Sequence, residues 1–326
     1  MSHSPSFEID EKLASIQHLA PTGKSERFEG LAFSASGNTL GVATADTNAV
    51  LLFRRRTDGR FEDTPYRRIE GLDYPHDLSF SMSGSTELMA IAQRTGAIPL
   101  FHMDESRGDF EPERIFEISG PTSKLAFSDG VAFVPPSNGY LAACNLLSGS
   151  ISFYPKISSS PVRFSVTPEF ELRHPSVIQP DGLAFSKCGT WLAVANHGNN
   201  SVSIFSRRNK LLTIGKLRYG PEPISIIADP QLRCPHSVAF TQTNHLIVTN
   251  AGANFFSAYG PRRGRFRMHW NGATALQTSV GDEAVFEAVN SENKMEGGPK
   301  GLAVHGNNIA VCSPEFGIKI YTFRES

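Results

Sequence analysis

The stretch Pro180–Phe205, PDGLAFSKCGTWLAVANHGNNSVSIF, reads as three short strands joined by two tight turns. Gly182-Leu183-Ala184-Phe185 is a short apolar run. Ser186 to Thr190 is turn chemistry, with Gly189 free to take a positive φ. Trp191 to Ala195 is a second apolar run, and His197-Gly198-Asn199-Asn200 a second turn. Val202, Ile204 and Phe205 lie in a third run rich in β-branched and aromatic residues. No run is long enough for an ordinary helix or shows a helical period.

The chain repeats this pattern five more times. FEGLAFSASGNTLGVATADTNAVLLF begins at Phe28, and PHDLSFSMSGSTELMAIAQRTGAIPLF at Pro75. SDGVAFVPPSNGYLAACNLLSGSISFY begins at Ser128, PHSVAFTQTNHLIVTNAGANFFSAY at Pro235, and PKGLAVHGNNIAVCSPEFGIKIY at Pro299. A period of roughly 50 residues belongs to a propeller or another repeat array. A fourth strand is predicted between units at Tyr66–Glu70, Arg114–Ile118, Phe170–Arg173, Ile224–Ala228 and Ala284–Val289. Four strands per unit make a propeller blade. The fold expected is all-β, a six-bladed β-propeller of four-stranded antiparallel blades, forming one domain over residues 1–326. The last unit lacks room for a fourth strand, so the N-terminal segment Leu13–Leu19 is expected to complete it and remove an open edge. A short helix there is the rival, since Glu11-Lys12-Leu13-Ala14 favours one.

A net charge of −1 gives no general attraction to nucleic acid or anionic membrane. No apolar run approaches a membrane span. The start, MSHSPSFEIDEK, has no apolar core for a signal peptide. Cys144, Cys188, Cys234 and Cys312 fall in different repeats without CxxC spacing. Buried free thiols in a reducing, cytoplasmic compartment are therefore expected. The basic runs Arg207–Lys210 and Pro261–Arg267 read as solvated hairpins, with a phosphate patch the sharper alternative. The connection Gly260–Glu283 is the longest and is expected to be mobile.

In a propeller the first strand of each blade lines the central channel. Alignment of the six units places one residue of each at the channel mouth: Glu29, His76, Asp129, Asp181, His236 and Lys300. All six can ionise, which packing alone would not select. Converging carboxylates need a counter-charge. A divalent ion held by Glu29, His76, Asp129, Asp181 and His236 would supply it. Imidazoles with carboxylates suit zinc, iron or manganese rather than calcium. The competing reading is a self-neutralising network in which Lys300 pairs with Glu29 and the histidines bond the acids. Turns between second and third strands open on the same face. They carry Arg94, Asn145, Asn196, His197, Asn250 and Glu315, and the connections before the first strands add Tyr74, His174, Glu292, Lys294 and Glu296. Arg94, His174, Asn196, His197 and Asn250 are the candidate substrate-binding residues. The three equivalent asparagines also have a structural explanation in Asn's tolerance of left-handed turns.

The PDGLAFSKCGTWLAVANHGNNSVSIF pattern resembles the repeats of propeller lactonases and of YVTN- and NHL-type proteins. Glu29 in FEGLAF and Asp181 in PDGLAF are similar to calcium ligands of gluconolactonase and senescence-marker type enzymes. Those families carry Asn or Asp where this chain has His76 and His236. His76 in PHDLSF and His236 in PHSVAF resemble instead the PH motifs that hold zinc in the peptidyl-hydroxyglycine amidating lyase. The leading expectation is a metal-dependent hydrolase of a lactone or ester at the top of the channel, with His76, His236, Asp129 and Lys300 as the catalytic candidates. The alternatives are metal-assisted lyase or isomerase chemistry there, with His or Lys300 as base, or a non-catalytic propeller that binds a small ligand or a protein partner. A small-molecule substrate is expected; the sequence leaves the oligomeric state open.

Overall fold

A computed structural model describes residues 7–16, 27–104, 111–208, 216–263, 268–270, 276–283, 286–287, 296–314 and 316–325. Six antiparallel sheets surround one axis, and each repeat forms one of them. Blade 4, the founding stretch, pairs Pro180–Phe185, Trp191–Asn196, Ser201–Ser206 and Ser225–Ile227 in order from the axis outward. Blade 1 starts at the inner strand Phe28–Phe33, blade 2 at Pro75–Ser83, and blade 3 at Ser128–Phe133. Blade 5 starts at Pro235–Phe240 and blade 6 at Leu302–His305.

Blade 6 takes its outermost strand from the other end of the chain. Phe7–Ile16 runs antiparallel to Gly317–Glu325, from Phe7 opposite Glu325 to Ile16 opposite Ile318. The closure expected from the sequence is present, in a strand that begins earlier than Leu13; the helical rival is not observed. Residues 17–19 of the expected segment lie outside the described residues.

The outer strand of blade 5 departs from expectation. It is Leu276–Ser279, paired with Phe255–Tyr259, rather than Ala284–Val289. Glu283, Phe286 and Glu287 are helical, and Phe286 is buried between blades 5 and 6. The apolar spacing that suggested a strand serves that packing instead. The Gly260–Glu283 connection is also anchored. Trp270 within it is fully buried, with its ring 5.2 Å from that of Trp191 in blade 4. Arg262–Arg263 pairs with Met268–His269 as a short hairpin; residues 264–267 lie outside the described residues.

Six apolar clusters hold the ring together, one at each junction between neighbouring blades. Strand alternation explains them, because each blade sends alternate side chains to its two neighbours. Cys144 and Cys312 are buried in such clusters, as expected of inert thiols. Cys188 is exposed and Cys234 half-buried, which corrects the expectation of four buried thiols. Among the described residues no helix is long and apolar enough to cross a membrane.

Candidate functional site

Three local features aim side chains at the mouth of the channel. The first is a register shift at the start of the inner strand in blades 1 to 5. It falls between Phe28 and Leu31, Pro75 and Asp77, Ser128 and Val131, Pro180 and Leu183, and Pro235 and Val238. Each interval holds the ring residue, Glu29, His76, Asp129, Asp181 or His236, which stands alone in blade 2 and is followed by one further residue in the others. A bulge frees a side chain from the sheet and re-aims it, here toward the axis. Lys300 precedes the blade 6 inner strand, held by its amide on the Cys312 carbonyl at 2.8 Å.

The second feature is the small residue that follows. A Cβ on Gly182 would lie 2.5 Å from the His236 carbonyl oxygen, and one on Gly130 would lie 2.5 Å from that of Asp181. One on Gly301 would lie 2.7 Å from the Glu29 carbonyl oxygen. Only glycine lets neighbouring inner strands approach this closely. Blades 2 and 5 depart from the glycine: blade 2 has Asp77, whose carboxylate accepts the Val131 amide at 3.1 Å across the blade boundary, and blade 5 has Ser237, whose amide donates to Thr249 Oγ1 at 3.0 Å.

The third feature is a left-handed residue two positions before the ring residue: Tyr74 (φ 53), Phe127 (φ 60), Gln179 (φ 47) and Cys234 (φ 48). In each case its carbonyl accepts the amide of the residue that follows the blade's second strand, at 3.0 to 3.2 Å. Those donors include Arg94 and His197, which therefore occupy equivalent places in blades 2 and 4. This bond ties the two loops of a blade together and builds an upper tier above the ring.

The six ring residues meet as the alignment placed them, and all are buried. His76 and His236, on opposite blades, stack with ring centroids 5.0 Å apart. Lys300 Nζ donates to both Glu29 oxygens at 3.0 and 3.2 Å and to Glu296 at 2.8 Å. Arg27 Nε reaches Glu29 Oε1 at 2.5 Å. Arg94 grips Asp129 through Nε (2.7 Å) and Nη2 (3.3 Å), and Nη2 also lies 2.9 Å from His76 Nε2. A guanidinium only donates, so His76 Nε2 is the acceptor and Nδ1 carries the proton, donated to the Asp129 main-chain oxygen at 3.0 Å. The Arg94 plane lies 5.2 Å from the Tyr74 ring centroid and 4.9 Å from that of Phe127. His197 Nδ1 lies 3.6 Å from Asp181 Oδ2.

Burial and the neighbouring charges set the protonation of this cluster. Burial alone would raise the Glu29 carboxyl, but Lys300 and the histidines hold it well below the usual range. Burial brings His76 down to about 3, with Arg94 and His236 adding to the effect against Glu29 and Asp181, so its imidazole is neutral. Asp181 is buried too, yet His236, His197 and His76 bring it to about 2. Burial and the Asp181 charge push Asp129 up against the pull of Arg94. Burial opposes charge on His197, but Asp181 and Cys234 hold it up at about 10. Lys300 resists its burial because Glu29 and Glu296 favour its charge. Arg27, Arg94, Lys300 and His197 face Glu29, Asp129, Glu296 and Asp181 in turn, so each basic group at the mouth meets a carboxyl group of this chain.

Two buried triads have ligand atoms mutually within 4.8 Å: Glu29, His76 and His236, and His76, Asp129 and Asp181. That spacing could in principle hold a divalent ion. In the first, Glu29 Oε2 lies 3.4 Å from His236 Nε2 and 3.6 Å from His76 Nε2. A zinc ion with bonds of about 2.0–2.2 Å spaces tetrahedral ligands about 3.4 Å apart. The same atoms, however, already face Lys300, Arg27 and Arg94. An ion in the first triad would require Arg94 to release His76 Nε2.

The other candidates divide. Arg94 and His197 belong to the site. His174 does not reach the ring: its nitrogens face Ser176 Oγ (2.8 Å) and Glu222 (3.1 Å). Asn145, Asn196 and Asn250 are buried beneath the turns, where each amide nitrogen bonds a serine of its own hairpin at 2.9 to 3.2 Å. Their recurrence is structural, but the reason is hairpin bonding; Asn196 itself is extended at φ −108, and Asn200 takes the left-handed position. Glu292, Lys294 and Glu315 lie outside the described residues. The alignment overlooked Arg27, Phe127 and Cys234, although each stands two residues before a ring residue, as Tyr74 does. Below the ring, the channel widens into a cavity of about 330 Å³, lined by Leu31, Leu78, Val131, Leu183 and Val238, with Asp77 at its wall.

No protein-family profile matches the chain, and no curated protein sequence matches it. Solved structures do. The β-propeller domain of Cps50 (Swd1) from Myceliophteria thermophila superposes with a TM-score of 0.59 at 13% identity, covering 91% of this chain and 84% of that one. A chain of the mitotic checkpoint complex gives 0.54 at 12% identity, covering 90% and 74%. Virginiamycin B lyase from Staphylococcus aureus gives 0.53 at 12% identity, covering 97% and 99%. At these identities the likeness establishes the propeller fold.

Proposed function

We propose that this propeller is a lyase or isomerase that moves a proton on a small carbonyl- or carboxylate-bearing substrate at the channel mouth. The observation that carries the reading is His236. Its Nε2 faces Glu29 and Asp181 at 3.4 and 3.7 Å, while its buried Nδ1 has no hydrogen-bond partner. Carboxylates that hold a proton on one imidazole nitrogen leave the other as a base. His197, kept protonated against Asp181, is the matching proton donor. Arg94, braced by Tyr74 and Phe127, has no bond from Nη1 among the described residues and offers it to a developing enolate or a carboxylate. The near full-length likeness to a propeller lyase agrees with this class through fold alone. A divalent ion at the Glu29, His76 and His236 triad would polarise a carbonyl; the reading does not depend on one, because the triad already serves this chain's own cations.

The test is solvent deuterium exchange at the carbon next to the carbonyl, followed by NMR over a panel of hydroxy, acyloxy and keto acids and lactones. Wild-type protein should exchange or eliminate on at least one member, and His236→Gln should not. Lactone or ester opening with water oxygen in the product and no α-exchange would refute the reading in favour of hydrolysis. A second reading, a non-catalytic binding propeller, is favoured by the pairing of the site's basic groups with carboxyl groups of this chain. It predicts saturable ligand binding with no exchange in any member of the panel.

A further inference from the structure

We infer that a cavity between blades 4 and 5 is a second site, one that binds a small aromatic phosphate of the nucleoside monophosphate class. The ring lies against Trp191 and the phosphate on Arg207 and Arg208. The cavity holds about 440 Å³, the size of an ordinary small-molecule site. It lies away from the channel mouth, because Trp191 opens the second strand of blade 4 at the end opposite Asn196.

Two stretches far apart in the chain meet here. Arg207 and Arg208 follow the third strand of blade 4, and Met268 belongs to the hairpin that Arg262–Arg263 opens in blade 5. Main-chain bonds fix the two arginines: the Arg207 amide donates to the Thr190 oxygen at 2.7 Å, and the Arg208 amide to the Arg218 oxygen at 2.8 Å. Arg207 is half-buried and Arg208 exposed. Neither guanidinium has an ion pair or hydrogen bond among the described residues. The acid in the lining, Glu222, is taken by His174 Nε2 at 3.1 Å. Two guanidinium groups without an acid of their own suit a ligand with more than one negative charge. A phosphate monoester brings about −1.5 to −2 and three acceptor oxygens.

The apolar wall is a platform for a flat ring. Trp191 is half-buried, and its indole is braced by that of Trp270, 5.2 Å away and inclined at 77°. Trp270 is fully buried, and its Nε1 donates to the Asn244 oxygen at 2.9 Å. The Trp191 indole N–H has no acceptor among the described residues, which leaves a donor at the same wall. Ile224 and the Met268 thioether complete it. Aromatic faces and methionine sulfur both make favourable contacts with a nucleobase, and arginine beside an aromatic ring holds base and phosphate together. The inference stands apart from the role given to His236.

Adenosine 5′-monophosphate (AMP) is the probe, titrated into the full chain by calorimetry and by tryptophan fluorescence. Trp191 and Trp270 are the protein's two tryptophans, so its emission reports this junction alone. AMP should quench that emission saturably. Adenosine and inorganic phosphate, each lacking one half of the ligand, should bind about tenfold more weakly or worse. Arg207→Gln and Arg208→Gln should each weaken AMP by about tenfold, as loss of a charge-assisted bond implies. A dissociation constant above about 1 mM for AMP overturns the inference. So does adenosine or phosphate binding as tightly as AMP; these two results need no variant. Affinity that either arginine variant leaves within about twofold puts the nucleotide elsewhere and overturns it too. Both substitutions leave the channel mouth intact, so α-exchange should persist in them, and failure here and failure of the proton-transfer reading are separate results.

Discussion

Replacing Gly182 by alanine tests how the mouth of the channel is assembled. The added methyl carbon would stand 2.5 Å from the His236 carbonyl oxygen and 2.8 Å from the Ser237 Cα. Both are main-chain atoms, so no side chain can swing aside. Ordinary contact begins near 3.4 Å, so the inner strands of blades 4 and 5 must part by about 0.9 Å. Both are pinned, by Leu183 opposite Val194 and by Val238 opposite Val248. Overpacking of this kind costs about 1–3 kcal/mol, and the alanine recovers about 0.4–1 kcal/mol by restricting the unfolded chain. Because the clash is with backbone, the upper part of the range applies, a net loss of about 2 kcal/mol. Gly220→Ala is the reference: its Cβ would meet nothing closer than 3.6 Å. Urea denaturation of the two variants, followed by tryptophan fluorescence, supplies the comparison. If Gly182→Ala unfolds within 0.5 kcal/mol of Gly220→Ala, the inner strands are not in the tight contact that the ring geometry requires.

Further expectations bear on single groups. Glu29→Gln should cost about 3 kcal/mol at pH 7, because it leaves Lys300 buried with only Glu296. The folded Glu29 carboxyl titrates well below 4.5, so its contribution is present above that pH and fades as acid approaches the lowered value; a deficit that does not shrink toward pH 2 would contradict this. Asp77 has the opposite sign. Burial raises it from 3.8 to about 7, so wild-type stability should fall relative to Asp77→Asn as pH rises from 4 to 7, by at most about 4 kcal/mol. Parallel pH profiles from thermal melts would dismiss the effect. Arg94→Gln frees His76 Nε2 and should tighten zinc or manganese binding at least tenfold in calorimetric titration. Equal affinities, or none in either protein, would remove Arg94 as the competitor at that triad. Ile16→Ala should cost about 2–5 kcal/mol, since Ile16 is buried where blades 6 and 1 meet; a smaller loss would mean that the N-terminal strand adds little to closure.

The fold was legible because the repeat carries its own punctuation: Gly-Leu-Ala-Phe, a turn, an apolar strand, an Asn-rich turn, a third strand. The ring was legible for the same reason, since six aligned positions fixed six side chains without any pairwise contact being known. What escaped reading was set by the space between blades. Nothing in the chain near Asp129 announces that Arg94 will grip it, whereas the pairing of Lys300 with Glu29 was legible from their neighbouring places in the ring. Phe127 was overlooked because its place follows from a left-handed turn whose geometry depends on a bond to another loop, and Arg27 because Glu29 and Glu296 meet at its guanidinium only in the folded ring. His174 misled because a histidine in the right connection was captured by Glu222. The blade 5 outer strand was misplaced because Phe286 packs into a blade junction from a helical turn.

The strand Phe7–Ile16 leaves the ribosome about 300 residues ahead of its partner Gly317–Glu325. At about 5–20 residues per second, some 15–60 s separate their synthesis. For that interval five growing sheets stand beside an unmatched ribbon with free amide and carbonyl groups. A chain in that condition can pair with the same segment of another nascent chain, so crowded translation of one message is where mispairing between molecules is expected, and pulling the two ends apart by force should open the ring at this seam first.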